Sequence, residues 1–400
     1  MSTLYIAAAK RTAIGTLNGS LSSVPAPLLG AQVVKQLLAD TGIPAAAITE
    51  TIVGNVLSAG AQQGVARQVA IHAGIPIEVP AFSVNMVCGS GMKAIMLACV
   101  SACAGLGDLY IAGGVENMSR APYLLQDARK GLGLGSQALA DHIVFDALTD
   151  AFQNVHMGIT AENIAARYGI TREAQDAFAY ASQQKAIAAV DGGAFKDEIV
   201  PITVKQRKEE FVFDTDEHPN RKSTPEKLAA LRPAFQKDGT VTAGNASGIN
   251  DGAAFVLIAT EKAVKQYNLS PLAQIVGFGQ GGVEPSVMGL GPVPAVRNAL
   301  ASASLKLSDM DYIELNEAFA AQSLGVVADL SREHGLSVED IQARTNVNGG
   351  AVALGHPVGA SGARITVTLA HILRAKQGTY GLASLCIGGG MGTAVVLRRV

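Results

Sequence analysis

Charge is scarce in this chain. Only 16% of its 400 residues are Asp, Glu, Lys or Arg, against 48% hydrophobic ones. So little charge leaves a large apolar surface to cover, and buried contacts between copies are expected. The formal net charge of −2 provides no basic field for nucleic acid. No apolar run reaches the roughly 18 residues that a membrane span requires. The first residues, Met1 to Arg11, read as a strand and lack the basic segment and small-residue cleavage site of a secretory leader. The last four, Leu397 to Val400, carry no peroxisomal or reticular address. A cytoplasmic protein without membrane or nucleic-acid partners is expected. Cysteine is also rare: Cys88, Cys99, Cys103 and Cys386 are all there is. Their spacing excludes a zinc motif and a disulfide framework. Cys99 and Cys103 lie four apart in an apolar helical stretch and read as small core residues.

Glycine, by contrast, is plentiful, and three glycine-dense turns each present one reactive side chain. Cys88 lies between a short apolar strand beginning at Ala81 and an Ala/Met/Leu-rich helix from Met92 to Val100. A thiol at a helix N-terminus meets free N–H groups and a positive dipole end, which favours thiolate over thiol. Near the C-terminus, the run from Asn348 to Gly362 carries His356, and the run from Cys386 to Gly392 carries Cys386. Two thiols and an imidazole on tight turns point to covalent catalysis with two proton-transfer groups. The glycines at Gly131–Gly135 and Gly277–Gly279 lack the downstream acidic residue of a dinucleotide fingerprint, so no nicotinamide site is expected.

The chain repeats its landmarks in one order. A helix at Ala26–Ala39 leads to a strand at Thr51–Val56, and a helix at Pro292–Ala301 leads to a strand at Tyr312–Asn316. Cys88–Gly91 and Gly359–Gly362 each open a helix, and Leu109–Val115 matches Leu382–Gly390. The expected fold is α/β, with two duplicated halves of mostly parallel mixed sheets covered by helices. The halves are read as residues 1–120 with 250–270, and residues 271–400. Between them, 121–249 reads as an inserted loop and ligand-binding domain. It holds a polar helix from Thr171 to Val190 and a charged run that includes Lys205, Arg207, Lys208, Arg221, Lys222 and Lys227. Sites in such sheets lie at the carboxyl ends of the strands, where all three turns fall.

Together with Asn316–Glu317–Ala318–Phe319–Ala320 and the run Ala243–Gly252, these turns resemble the thiolase family over essentially the whole chain. Within it, His156–Glu162, Gly244–Gly248 and the glycines after Cys386 are similar to the acetyl-CoA C-acetyltransferases. The resemblance implies reversible Claisen condensation of two acetyl-CoA to acetoacetyl-CoA and CoA, by a ping-pong path through an acetyl-cysteine. It implies Cys88 as nucleophile, His356 as its base, Cys386 as the second acid/base, and Asn316 as holder of a water at an enolate oxygen. The backbone N–H groups of Cys88 and Gly388 would form an oxyanion hole, with glycine at 388 permitting close approach. For coenzyme A it implies Ser247 on the pantetheine chain and Arg221 at the phosphates, with Lys222 or Lys227 sharing that task. Leu148, His156, Met157, Phe235, Ala243, Ala246, Met288, Ala318 and Phe319 would line the tunnel. Coenzyme A thioesters enter as substrates; no permanent cofactor and no metal are implied. The resemblance implies a homotetramer, a dimer of dimers joined partly near Gly131–Asp141. The nearest alternative is a degradative 3-ketoacyl-CoA thiolase for longer chains, and a remote one is a non-catalytic acyl-CoA-binding protein of thiolase shape.

Overall fold

The computed structural model describes residues 3–206 and 209–400. Met1 and Ser2 of the expected first strand, and Arg207 and Lys208 of the charged run, lie outside the described residues. Ten strands carry the architecture: β1 (Leu4–Thr12), β2 (Glu50–Gly54), β3 (Ala81–Val84), β4 (Leu109–Asn117), β5 (Ile199–Val200), β6 (Asn250–Thr260), β7 (Ala273–Gly282), β8 (Tyr312–Leu315), β9 (Tyr380–Ile387) and β10 (Met391–Arg399). With the two-residue strand Gly15–Thr16 they make an eleven-stranded mixed sheet among the described residues, in the order β8-β9-β10-β7-β1-β6-β4-β2-β3. The parallel pairs β2–β3, β2–β4 and β8–β9 lie toward the two ends of that path. The pairs between them are antiparallel. The β6 segment Ala253–Ile258 reads as a continuous apolar run because helices cover both of its faces.

The repeat is visible in the strand order. One half runs β2-β4-β6-β1 and the other β8-β9-β10-β7, with a parallel first pair and antiparallel later pairs in each. Helices correspond as well. Helix α1 (Ala26–Thr41) precedes β2, and α2 (Ser90–Cys103) precedes β4. In the second half, the helix Pro292–Ala303 precedes β8, and the helix Val358–Ala375 precedes β9. α1 stops where Gly42 turns left-handed at φ 64°, as the Thr41–Gly42 pair predicts. Helix Val358–Ala375 is apolar on nearly all sides and is buried between the halves, packed along α2.

The segment between the halves is tied in more closely than an outlying excursion. It supplies α3 (Met157–Tyr168) and α4 (Arg172–Asp191), the latter capped by Thr171, whose hydroxyl accepts from Ala174 N at 3.2 Å. It also contributes β5, which pairs with β1 and so enters the main sheet. Buried Arg11 locks this junction: its guanidinium donates to both carboxylate oxygens of Asp216 at 2.7 and 2.9 Å and to Glu198. Removing one partner of such a buried set typically costs about 3–5 kcal/mol, because the remaining charges stay desolvated. The charged run is thus anchored at its start, while Arg221, Lys222 and Lys227 stand at the surface.

Candidate functional site

Cys88 sits two residues before α2, at the end of a turn that the chain is forced to make. Val87, a β-branched residue, holds φ at +45°, a conformation costing on the order of 1–3 kcal/mol unless its surroundings impose it. Ser90 imposes it: its hydroxyl accepts from Met86 N at 2.8 Å and donates to Val87 O at 2.6 Å. The strand–turn–helix placement is as expected, but the thiolate is not. Burial, the largest influence, pushes the Cys88 thiol up to about 11, and the Glu116 carboxylate adds to that. The N–H groups of Gly388 and of Cys88 itself pull the other way and lose. The helix terminus is outweighed by desolvation. Cys88 is therefore a thiol until a base takes its proton.

The candidate base is His356. His356 N donates to Asn250 Oδ1 at 2.9 Å, and its Nδ1 lies 2.5 Å from Ser361 Oγ. The Ser361 hydroxyl donates its only proton to Pro357 O at 2.9 Å. It must then accept from His356, which places the neutral ring's hydrogen on Nδ1 and leaves Nε2 with a free lone pair. That Nε2 is buried and has no protein partner. Burial first, and Arg364 second, lower the imidazole to about 4, so the ring is a neutral acceptor at physiological pH.

Cys386 occupies β9 itself, one residue before the strand ends, and pairs with Gly392 of β10. The expectation of a cysteine on the turn is corrected: ladder pairing extends through Ile387, and the turn begins after it. Gly389 and Gly390 make that turn at φ 83° and 86°, and a Cβ at Gly390 would meet Val283 O at 2.3 Å. Gly388 is different. A Cβ there would find only ordinary contacts within the protein, with Val87 Cγ1 at 3.5 Å and Met157 Sδ at 3.6 Å, so no neighbouring protein atom demands glycine at 388. The Cys386 thiol is raised by burial first and by the nearby Cys88 second. Asn316 follows β8, its N–H donating to Ser384 O at 3.0 Å. Both of its amide side-chain atoms are buried without a protein partner.

Most of the residues expected to line a tunnel come together, while Leu148 and Ala243 lie apart from them. Met157, Ala246, Met288, Ala318, Phe319 and Cys386 form one apolar cluster with Phe235 against it. His156 stacks on Phe235 at 4.5 Å between ring centroids and caps α3, its Nδ1 accepting from Gly158 N at 3.0 Å. Leu148 packs on a second cluster that also takes Cys88 and Val358. Ser247 N donates to Ala318 O at 2.9 Å, laying the Ala246–Ser247 stretch along the Asn316 turn. Outward from these, a cleft of about 900 Å³ is lined by His218, Arg221, Lys222, Lys227, Ala243 and Val352. Arg221 is paired with Asp191 through two hydrogen bonds at 2.6 and 2.9 Å, whereas Lys227 Nζ holds only the Lys222 carbonyl at 2.8 Å.

Three supporting residues escaped the sequence reading: Ser361, Asn250 and Glu317. Buried Glu317 accepts from Ser182 Oγ, Asn346 Nδ2 and Val352 N at 2.7–3.2 Å, joining the Asn316 turn to the run that leads into His356. All three stand inside the motifs already singled out. Their partners lie far away in the chain, and spacing alone does not reveal them. Among the described residues no cluster of metal-ligating side chains occurs.

Comparison with known proteins agrees with this geometry. The family models for the thiolase N-terminal domain and the thiolase C-terminal domain match residues 4–262 and 269–399. An acetyl-CoA acetyltransferase of Pseudomonas aeruginosa is 54% identical over 400 residues, covering 100% of both chains. The solved structure of acetyl-CoA acetyltransferase from Syntrophomonas wolfei superposes with a TM-score of 0.97 at 42% identity, covering 100% of each chain. Human mitochondrial 3-ketoacyl-CoA thiolase in complex with CoA superposes at 0.93 and 44% identity, covering 100% of this chain and 98% of that one. With both family models spanning nearly its whole length, this chain belongs to the thiolase family.

Proposed function

We propose that the protein is an acetyl-CoA C-acetyltransferase, an acyltransferase that interconverts two acetyl-CoA with acetoacetyl-CoA and CoA. The observation that carries the reading is buried Cys386 close enough to half-buried Cys88 to feel its charge, together with an imidazole whose Nε2 lone pair has no protein partner. In the first step His356 Nε2 takes the Cys88 proton, and the sulfur attacks the acetyl-CoA carbonyl. The C–S bond to coenzyme A breaks, and His356 returns the proton to the departing CoA sulfur. The N–H groups of Cys88 and Gly388, both directed at the Cys88 sulfur, stabilise the oxyanion. In the second step the now neutral His356 takes the Cys386 proton, and the Cys386 thiolate removes a methyl proton from another acetyl-CoA. The resulting enolate oxygen is held by His356 and by a water on Asn316, whose amide atoms have no other partner. The carbanion attacks acetyl-Cys88, the new C–C bond forms as the C–S bond breaks, and the departing Cys88 sulfur takes its proton from His356. Thioester-to-thioester transfer conserves the activation of the acyl group, which an ester on serine would lose.

For coenzyme A we assign Ser247 to the pantetheine chain, and Leu148, His156, Met157, Phe235, Ala243, Ala246, Met288, Ala318 and Phe319 to its tunnel. The phosphates fall to Arg221, Lys222 and Lys227, all in the outer cleft. The division of labour proposed is a Cys88 half from residues 1–120 with 250–270, a half with Asn316, His356 and Cys386 from 271–400, and a CoA-binding insert from 121–249. That insert exposes Leu125, Leu132, Leu134, Leu139, Phe145 and Phe152, which supports assembly as a homotetramer measurable by sedimentation equilibrium. We place the enzyme in the cytoplasm.

Relative thiolysis rates test the substrate. Acetoacetyl-CoA is expected to exceed 3-ketohexadecanoyl-CoA at least tenfold in kcat/KM, because the apolar cluster around Cys386 is filled by Met157, Met288 and Phe319. The likeness to the human 3-ketoacyl-CoA thiolase favours the alternative, a longer-chain degradative enzyme, and equal rates would establish it. No turnover on either substrate would leave an acyl-CoA-binding protein.

The lowered imidazole gives a pH signature for the first step. Acylation needs neutral His356, so its rate is expected to stay level as pH falls from 8 through 6.5 and to drop only on approach to about 4. Rapid-quench measurement of CoA release checks this. An acid limb centred near the ordinary histidine value of 6.5 would mean that His356 is not buried as described.

A further inference from the structure

Glu116 is fully buried at the end of β4 and plays no part in the chemistry above. Its carboxylate accepts four hydrogen bonds, all from neutral donors. Asn55 Nδ2 and Leu57 N reach Oε1 at 2.9 and 3.1 Å, and Val56 N and Gly359 N reach Oε2 at 3.0 and 2.9 Å. The first three donors follow β2 in the Cys88 half. The fourth belongs to the first turn of the helix Val358–Ala375, three residues beyond His356. One carboxylate therefore staples the His356 turn to the Cys88 half, with its charge set against the helix N-terminus. The fit is close: a Cβ at Gly359 would stand 2.5 Å from Glu116 Oε2 and 3.1 Å from Asn55 Cα.

The internal repeat identifies the position. Asn55 directly follows β2 as Asn316 directly follows β8. The parallel registers match Gly54 with Gly114 in one half and Leu315 with Ser384 in the other. Two residues on, Glu116 stands where Cys386 stands. The antiparallel neighbours agree, since Glu116 faces Gly252 and Cys386 faces Gly392. The same correspondence pairs Cys88–Gly91 with Gly359–Gly362. Cys386 of the second half thus lies near Cys88 of the first, and Glu116 of the first half lies on Gly359, the counterpart of Cys88, in the second. The duplicated position carries a proton-transfer thiol once and a structural carboxylate once.

We propose that Glu116 is a positioning residue that sets the His356 turn in register with the Cys88 turn. This rests on the reading of Cys88 and His356 as the reacting pair. Glutamine is the informative replacement: Glu116→Gln keeps the shape, but its amide nitrogen faces an N–H donor where an oxygen is needed. Glu116→Asp keeps the charge and shortens the reach. The charge also acts on Cys88. The titratable groups facing that thiol are Glu116 from β4, Cys386 from β9 and, in the reading above, His356; Asp251 from β6 faces Glu116 in turn.

The test measures acetyl-CoA kinetics and the pH dependence of Cys88 alkylation by iodoacetamide in wild type and both variants. Circular dichroism and thermal melting confirm that each is folded. For Glu116→Gln, kcat is expected to fall 10- to 100-fold with KM within about threefold, and the alkylation midpoint to move to lower pH as the repelling charge goes. For Glu116→Asp, kcat is expected to fall while the midpoint stays. A folded Glu116→Gln enzyme with unchanged kcat, or with an unmoved or higher alkylation midpoint, overturns the proposal. If wild type itself forms no acetyl-Cys88, the reading of the reacting pair fails instead, a result visible in the same experiment.

Discussion

Replacing Cys88 with serine is expected to abolish turnover in both directions, by a factor on the order of 10⁴ or more, while leaving the fold and CoA binding intact. Ser90 and the strained Val87 hold the turn through backbone and Ser90 hydroxyl contacts, none of which uses the Cys88 sulfur. A hydroxyl fits the space but not the chemistry. His356 would have to deprotonate an alcohol far less acidic than a thiol already raised to about 11, and the ester formed would be a poorer acyl donor than a thioester. Brief exposure of wild type to acetyl-CoA, followed by mass spectrometry of the Cys88 peptide, should show an added acetyl group that Cys88→Ser lacks. Absence of the adduct in wild type would falsify the assignment. Retention of substantial turnover by the serine variant would show that another group carries the acyl chain.

The reactive residues were legible because each stands on a local signal. Cys88 lies between a strand and a helix, His356 between Gly355 and Pro357, Asn316 at a strand end, and Cys386 before a glycine run. Their placement at corresponding strand ends was legible through the repeat, whose strand order the two halves share. Electrostatics was less accessible. A helix N-terminus promises a thiolate, yet the surrounding clusters that bury Cys88 come from both halves and reverse the sign. The same holds for Glu116 and Glu317: a glutamate in the middle of an apolar stretch says nothing of which distant N–H groups it will collect. Gly388 carries a further lesson. Steric need explains Gly389 and Gly390, whose φ values are left-handed, but a glycine in a run of glycines need not share their reason. The insert misled through its composition, since its charged residues concealed the two-residue strand and the Asp216 and Glu198 carboxylates that anchor it on Arg11.

Cys386 separates the two halves of the reaction, and its replacement should reveal them. The thiol lies within a buried strand beside Cys88, and burial together with that neighbour raises it far above the ordinary cysteine range. A thiolate there is unfavourable until something compensates, and once Cys88 is acetylated, His356 is free to take the Cys386 proton. Cys386 is then needed only in the second step. Cys386→Ala is expected to acetylate Cys88 within about threefold of the wild-type rate, since His356 and the N–H groups of Cys88 and Gly388 remain. Condensation should fall on the order of 10³-fold, the range lost when a positioned proton-transfer group is removed. Exchange of acetyl-CoA methyl hydrogens for solvent deuterium, measured by mass spectrometry, should fall with it. Cys386→Ser controls for volume, and its hydroxyl is too weak an acid to restore exchange. If acylation and condensation decline together in both variants, the β9 thiol supports the site only by filling it. The proton would then have to leave through His356, whose lone-pair nitrogen is buried without a protein partner.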